Sequence, residues 1–125
     1  VTHVCKLRVS GAKNPTDAEK AARQIANSML FKTMLAGSNA NWGRIAAAVG
    51  ASGVDFDFKN MSISFGDAEV VHQGRLRVLN LPRARRILQK KEYTIDVVIG
   101  KGRGRAEFIT CDLTTKYVLI NAAYS

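Results

Sequence analysis

The run Gly100-Lys101-Gly102-Arg103-Gly104-Arg105 has the residue types that a phosphate-binding loop uses. Glycines let backbone amides approach an anion, and lysine and arginine supply positive charge. A P-loop, however, needs Gly-Lys-Ser/Thr opening a helix after a strand, whereas this run lies between two strand-like segments. We therefore interpret it as a hairpin turn with solvated charges, and a phosphate or RNA site stays open as the alternative.

Histidine and cysteine, the other candidates for chemistry, stand far apart in the sequence. His3 and His72 have no paired carboxylate or nucleophile in sequence reach, so we expect surface or half-buried histidines. Cys5 and Cys111 lie in strand-like apolar runs, where buried reduced thiols are the ordinary outcome, although a disulfide stays open. The spacings are not those of a metal site, and we expect neither a metal nor a cofactor.

The first half of the chain predicts a strand followed by helices. Alternation over residues 3–9 indicates a strand, and Thr16-Asp17-Ala18-Glu19 has the pattern of a capping box that starts a helix. The apolar residues 30–35 favour a strand, with an extension of the helix as the alternative. Asn41 is expected to cap a second helix that stops at Gly50.

The second half is expected to contain strands around one basic helix. Residues 61–65 alternate as a strand, and a small hairpin through Gln73-Gly74 would join strands at 70–71 and 75–79. Pro82 suits the first turn of a helix that reaches about Lys91.

Three strand candidates close the chain, at residues 93–99, 105–111 and 117–121. We expect them to pair antiparallel, the first two through the glycine-rich turn. The order of elements predicts the α+β class, with helices packed on a mixed, mostly antiparallel sheet. Residues 1–125, with 46% hydrophobic content, suit a single domain.

Positive charge is concentrated in one part of the sequence, which we call the basic segment 75–105. It holds ten of the 19 lysines and arginines and two acidic residues, in a chain of net charge +9. Such a segment suits an acidic partner surface, an anionic substrate or nucleic acid. No apolar run is long enough for a membrane span and no signal peptide is evident, so we expect an intracellular protein, cytoplasmic or organellar.

Two motifs have no simple compositional reason to exist. They are Asn41-Trp42-Gly43-Arg44-Ile45 and the terminal run Cys111-Asp112-Leu113-Thr114 with Tyr117-Val118-Leu119-Ile120-Asn121-Ala122. In this order, and with Ser10-Gly11-Ala12 ahead of them, they resemble the C-terminal part of the β chain in the ornithine acetyltransferase (glutamate N-acetyltransferase) family of arginine biosynthesis. The resemblance runs nearly end to end. Within the first motif we expect Trp42 to pack and Arg44 to bind a carbonyl or carboxylate.

The resemblance implies an enzyme that moves acetyl from N-acetylornithine to glutamate through an acetyl-threonine. That threonine becomes N-terminal by self-cleavage, so that its α-amine acts as the base. Thr33-Met34-Leu35 looks similar, but Lys32 stands where the family has a small residue and the Asn41 motif follows too soon. We therefore expect no catalytic residue in this chain, a longer gene product with the threonine upstream of Val1, and no activity of the 125 residues alone.

Asn121 is the residue to which the resemblance assigns a substrate-binding role. An amide side chain donates to a carboxylate and accepts from an ammonium group, as an amino-acid substrate requires. Ser125 is the nearest hydroxyl for the assisting role, four residues later where the family usually has five. The alternative for Asn121 is a structural cap on the last strand.

The partners implied by the resemblance are the α chain of the same precursor, in an oligomer of αβ units, and the amino-acid substrates N-acetylornithine and glutamate. No membrane partner is expected, and nucleic acid is disfavoured. Two alternatives stay open: a small basic RNA-binding module that uses the basic segment 75–105, and an interaction domain without chemistry.

Overall fold

The computed structural model describes residues 3–111, in which four helices pack on one face of a six-stranded mixed sheet. This architecture confirms the predicted α+β class. The elements, in chain order, are β1 Val4–Ala12, α1 Pro15–Ala26, α2 Met29–Ala36, α3 Trp42–Ala51, β2 Ser62–Phe65, β3 Ala68–His72, β4 Arg75–Leu76, α4 Leu81–Leu88, β5 Glu92–Val98 and β6 Gly104–Cys111. Short 3-10 turns at Phe58–Asn60 and Val78–Asn80 precede β2 and α4. None of these helices is long and apolar enough to cross a membrane.

Strand β1 lies inside the sheet, whose order is β4-β3-β2-β5-β1-β6. Leu7 stands opposite Ile95 of the parallel strand β5 and opposite Phe108 of the antiparallel strand β6. The expectation that 93–99 pairs with 105–111 through a hairpin turn is therefore wrong, because β1 separates the two strands. The other four strand pairs are antiparallel, as predicted.

Glycines make the connection from β5 to β6 possible, because it crosses the end of β1 with backbone against backbone. A Cβ on Gly102 would lie 2.1 Å from the Ala12 carbonyl oxygen, and one on Gly104 would lie 2.1 Å from that of Asn14. Gly102 also donates its N–H to the Gly11 carbonyl at 3.0 Å. The glycines therefore serve close packing, not a loop that is open to an anion.

The period of two along each strand separates a buried face from an open one. In β1, Cys5, Leu7 and Val9 are fully buried, whereas Lys6 and Arg8 are exposed. Helix α1 covers the buried face over β1 and β6. Its buried residues are mostly alanines, at Ala18, Ala21, Ala22 and Ala26, which allows a close approach to the sheet.

Two predicted details of the first helices are wrong. Asn14, not Thr16, caps α1, because Pro15 occupies the first helical position and leaves the cap to the residue before it: the Asn14 Oδ1 accepts from the Asp17 N–H at 2.8 Å. Residues 30–35 are helical, not a strand. The Ser28 hydroxyl caps α2. The buried residues of this helix, Phe31, Met34 and Leu35, have the i, i+3, i+4 spacing of a helix face.

The other elements predicted within residues 3–111 are present with shifted bounds. The strand predicted at 75–79 is wrong beyond Leu76, because Val78–Asn80 form a 3-10 turn. Helix α3 starts after Asn41 and ends at Ala51, but the expected capping by Asn41 is wrong, because its side chain makes no capping hydrogen bond. The hairpin of β3 and β4 turns at Gln73 and Gly74, both with positive φ, as a two-residue hairpin turn requires. Helix α4 ends at Leu88, before the expected Lys91. The strand predicted at 117–121 lies outside the described residues.

Candidate functional site

Asn121 and Ser125, the two predicted substrate-binding residues, lie outside the described residues. The described chain ends with β6 at Cys111, ten positions before Asn121. Cys111 stands opposite Val4 of β1, which in turn pairs with Glu92 at the start of β5. The structure therefore describes the chain only up to ten residues before Asn121, and the roles of Asn121 and Ser125 stay predictions.

The sheet face away from the helices, which we call the open face, carries a row of polar residues across four strands. Ser64, Asp96, Arg8 and Glu107 are register neighbours on β2, β5, β1 and β6. The Arg8 guanidinium binds the Asp96 carboxylate with two hydrogen bonds, Nε–Oδ1 at 2.7 Å and Nη2–Oδ2 at 3.2 Å. This bidentate contact raises the pKa of Arg8. An exposed pair of this kind contributes at most about 1 kcal/mol to stability, so its main effect is to fix charge positions.

A cavity of about 310 Å³ lies over this row, with two cations and two carboxylates in its lining. The charged residues are Arg8, Arg105, Asp96 and Glu107. A second cavity of about 330 Å³ continues the open face toward Lys6 and Glu92. Since the two signs balance, the open face suits a partner that also presents both signs, such as an amino-acid zwitterion or a mixed-charge protein surface.

The potential nucleophiles Thr33 and Cys5 have structural positions. Thr33 is exposed within α2, and its hydroxyl donates to the Met29 carbonyl at 2.9 Å, one helical turn earlier. Cys5 is fully buried in β1, and desolvation raises the pKa of its thiol far above the ordinary value. Thr33 therefore has no free α-amine to act as its base, and Cys5 stays protonated.

The two histidines hold hydrogen bonds that position neighbouring segments. The expectation of a surface or half-buried residue is wrong for His3, which is buried. Its Nδ1 lies 2.7 Å from the Lys90 carbonyl oxygen, and its ring lies 6.2 Å from that of Tyr93. His72 Nδ1 lies 3.0 Å from Glu69 Oε2, so the expectation of no carboxylate partner is wrong for His72. A β-bulge puts Glu69 and His72 on one face despite their spacing of three. Over residues 3–111, no three His, Cys, Asp or Glu side chains cluster to hold a metal ion.

The motif around Trp42 is structural, as expected. Arg44 donates from Nη1 to the Leu30 carbonyl at 3.1 Å, which ties α3 to the start of α2. The Trp42 ring packs against Phe58, with centroids 6.0 Å apart. These contacts confirm that Arg44 binds a carbonyl and that Trp42 packs.

The structure divides the basic segment 75–105 between opposite edges of the sheet. Arg75 and Arg77 lie at β4, whereas Arg105 lies on β6 and Lys101 in the loop before it. Five strand spacings separate β4 from β6, roughly 24 Å. Arg83, Arg85 and Arg86 lie on α4, which packs on β2 and β3, so the cations of the segment are spread over both sheet edges and the helix layer. This spread weakens the support for a single nucleic-acid surface.

Comparisons with known proteins agree over the full sequence. Residues 1–125 match the model of a family described as the ArgJ family. A protein of Chlorobaculum tepidum, named arginine biosynthesis bifunctional protein ArgJ, is 43% identical over 123 residues, covering 98% of this chain and 30% of the relative. One of Desulfotalea psychrophila with the same name is 45% identical over 120 residues, covering 94% and 30%.

The fold agrees with a solved structure as well. The crystal structure of arginine biosynthesis bifunctional protein ArgJ from Bacillus halodurans superposes with a TM-score of 0.84 and 32% sequence identity, covering 90% of this chain and 54% of that chain. The chain spans about 30% of the length of the curated relatives it matches.

Proposed function

This chain belongs to the ArgJ family, and from that premise we propose that it is the C-terminal β-chain portion of an enzyme that moves acetyl from N-acetylornithine to glutamate. The observation that carries the proposal is the match over all 125 residues, together with relatives at 43–45% identity that are named for arginine biosynthesis. Because the chain spans about 30% of those relatives, the activity is proposed for a longer protein.

In the proposed reaction, a threonine hydroxyl outside these 125 residues attacks the acetyl carbonyl of N-acetylornithine. The amide bond breaks, ornithine leaves with the proton, and acetyl stays on the threonine as an ester. The amine of glutamate then attacks the ester, which transfers acetyl and restores the hydroxyl. The helical position of Thr33 and the buried thiol of Cys5 support a nucleophile elsewhere.

Asn121 and Ser125 are proposed to complete the substrate pocket. An amide that binds the charged ends of the amino-acid substrate adds affinity and fixes its orientation relative to the threonine. Most substrate contacts would come from the rest of the enzyme.

The open face is proposed to pack against the α chain of the same precursor, in an oligomer of αβ units. Its residues Ser64, Thr94 and Ile109 are half-buried already, and Arg8, Asp96 and Glu107 present both signs of charge. About 70% of the length of the curated relatives lies outside this chain, which leaves ample polypeptide to cover the face. A charge-balanced face favours a specific partner over nonspecific association.

The direct test is to purify the full-length gene product and to measure acetyl transfer from N-acetylornithine to glutamate. We expect activity, and we expect Thr33→Ala to retain it because Thr33 lies on the surface of α2. Lack of acetyl transfer by folded protein would overturn the proposal. Loss of activity in a normally folded Thr33→Ala protein would instead overturn the placement of the nucleophile outside this chain.

A further inference from the structure

A third cavity, separate from the two open-face cavities described above, lies at the turn between β3 and β4. We call it the turn cavity. It is open to solvent and has a volume of about 570 Å³, within the usual size range of small-molecule sites. Its lining consists of Phe58, Lys59, His72, Gln73, Gly74, Arg75 and Arg77. The lining itself contains no carboxylate, and the nearest one named above is that of Glu69, 3.0 Å from Nδ1 of the lining residue His72.

Three cations of the turn cavity have no ion-pair partner within residues 3–111. They are Lys59, Arg75 and Arg77, whereas the nearby Arg83 is paired with Asp67 at 2.6 Å. Arg75 lies in β4 and Arg77 directly follows the strand, and both residues line the turn cavity. Like charges that converge on one cavity repel each other, and a bound anion relieves that repulsion.

The wall of the turn cavity is held in place without a ligand. The Gly74 N–H donates to the Met61 carbonyl at 2.9 Å, and the Gln73 N–H donates to the Ser62 hydroxyl at 3.0 Å. A Cβ on Gly74 would lie 2.9 Å from the Phe58 carbonyl oxygen, so the turn packs directly on the 3-10 turn that carries Lys59. Since these contacts pre-form the wall, a ligand would meet it with little reorganisation.

An aromatic surface lies beside the cations. Phe58 is 36% exposed and lines the turn cavity, and its ring is backed by Trp42. Arginine side chains suit phosphate because the guanidinium fork matches two oxygens at once. The single accessible ring fits one apolar group, whereas single-stranded nucleic acid needs successive stacking platforms along a groove.

We propose that the turn cavity binds a phosphorylated small molecule. Lys59, Arg75 and Arg77 hold the phosphate oxygens, and Phe58 contacts the apolar part. The site is independent of the proposed acetyl transfer, because none of its residues has a role in that reaction.

The test measures binding of inorganic tripolyphosphate to the full-length gene product by calorimetry at physiological salt. We expect saturable binding that weakens about tenfold in Arg75→Gln and again in Arg77→Gln, since each loses a charge-assisted contact. The matched control is Arg86→Gln, which removes the same charge from the exposed surface of α4 outside the cavity. Its affinity should stay within about twofold, because a distant surface charge acts only through a screened field.

Further measurements separate the sources of binding. Adenosine triphosphate should bind more tightly than tripolyphosphate, and Phe58→Ala should remove that difference. Acetyl transfer and melting temperature should be normal in all of these variants, so failure of the acetyltransferase proposal would be recognised separately. Absence of tripolyphosphate binding, an equal loss in Arg86→Gln, or tighter binding of single-stranded RNA with affinity that grows with its length would each overturn the proposal.

Discussion

Cys5 and Cys111 lie on neighbouring strands but point to opposite faces of the sheet. Cys5 is the register partner of Thr110, and Cys111 is the partner of Val4. Because side chains alternate between faces, the register directs one sulfur into the core and the other toward the open face. Because the two sulfur atoms lie on opposite faces of the sheet, they cannot form the disulfide that the sequence alone left open. The number of cysteines could not show this, because it depends on the strand register.

The burial of Cys5 predicts an absence of thiol reactivity as the pH rises. Desolvation raises the pKa of Cys5, so its folded-state thiol stays protonated in the range where an ordinary cysteine ionises. Between pH 7 and pH 9 the thiolate fraction of an ordinary cysteine rises about 20-fold, and alkylation should rise with it. Peptide-mapped iodoacetamide labelling should show no such rise at Cys5 in native protein and a full rise in urea. A native rise that matches the unfolded sample would contradict the buried position.

Asn121→Ala separates the substrate-binding role of Asn121 from its structural alternative. In the full-length enzyme, loss of a hydrogen bond to a charged substrate should lower kcat/KM about 10- to 150-fold, and self-cleavage should survive. Acetyl transfer and thermal unfolding are measured on the same preparation. Normal kcat/KM with a lowered melting temperature would reject Asn121 as a substrate ligand and leave it as a cap.

At the scale of single residues, contacts between neighbouring segments could be predicted from the sequence, whereas a contact that depends on a β-bulge could not. Arg44 next to a helix start predicted a carbonyl contact, and Leu30 supplies the carbonyl. The pairing of His72 with Glu69 was missed because a spacing of three normally puts strand residues on opposite faces. Val70 is the extra residue of a β-bulge, and it shifts the alternation of side chains so that Glu69 and His72 lie on the same face.

At the scale of elements, the glycine-rich connection between β5 and β6 predicts a sharp contrast between two glycines. Gly102→Ala would place a methyl group against the Ala12 backbone, which cannot move aside as a side chain would. We expect a loss of about 1–3 kcal/mol of stability or more. Gly50→Ala is the control, because a Cβ there meets nothing within 4 Å and Gly50 is helical. It should be neutral or stabilising by up to about 1 kcal/mol. Thermal unfolding of the two variants side by side checks the contrast, and equal melting temperatures would contradict it.

Strand positions were predictable from alternation, but strand order was not. The buried and exposed residues of β1 follow a period of two that any local window detects. The insertion of β1 between β5 and β6 depends on contacts about 90 residues apart, which leave no local pattern. Helix α2 was missed for a related reason, because its eight residues are mostly apolar and a short apolar run fits either element.

At the scale of the whole molecule, charge is spread over several regions, and α4 carries three exposed arginines of its own, Arg83, Arg85 and Arg86. The open face balances both signs around Arg8 and Asp96, the turn cavity gathers Lys59, Arg75 and Arg77, and the loop before β6 carries Lys101 and Arg103. The net charge of +9 could be read from the sequence, whereas its division required the sheet order. This division favours separate contacts with different partners over one polyanion-binding surface.

The central claim is that this chain supports acetyl transfer by a threonine that lies elsewhere in the protein. The measurement is to incubate the full-length gene product with N-acetylornithine without glutamate, quench it in acid, and map the acetylated residue by peptide mass spectrometry. We expect one acetyl group on a threonine before Val1, none on residues 1–125, and its removal when glutamate is added. An acetyl group on a residue within 1–125 that glutamate discharges would contradict the account, as would the absence of any transferable acetyl group.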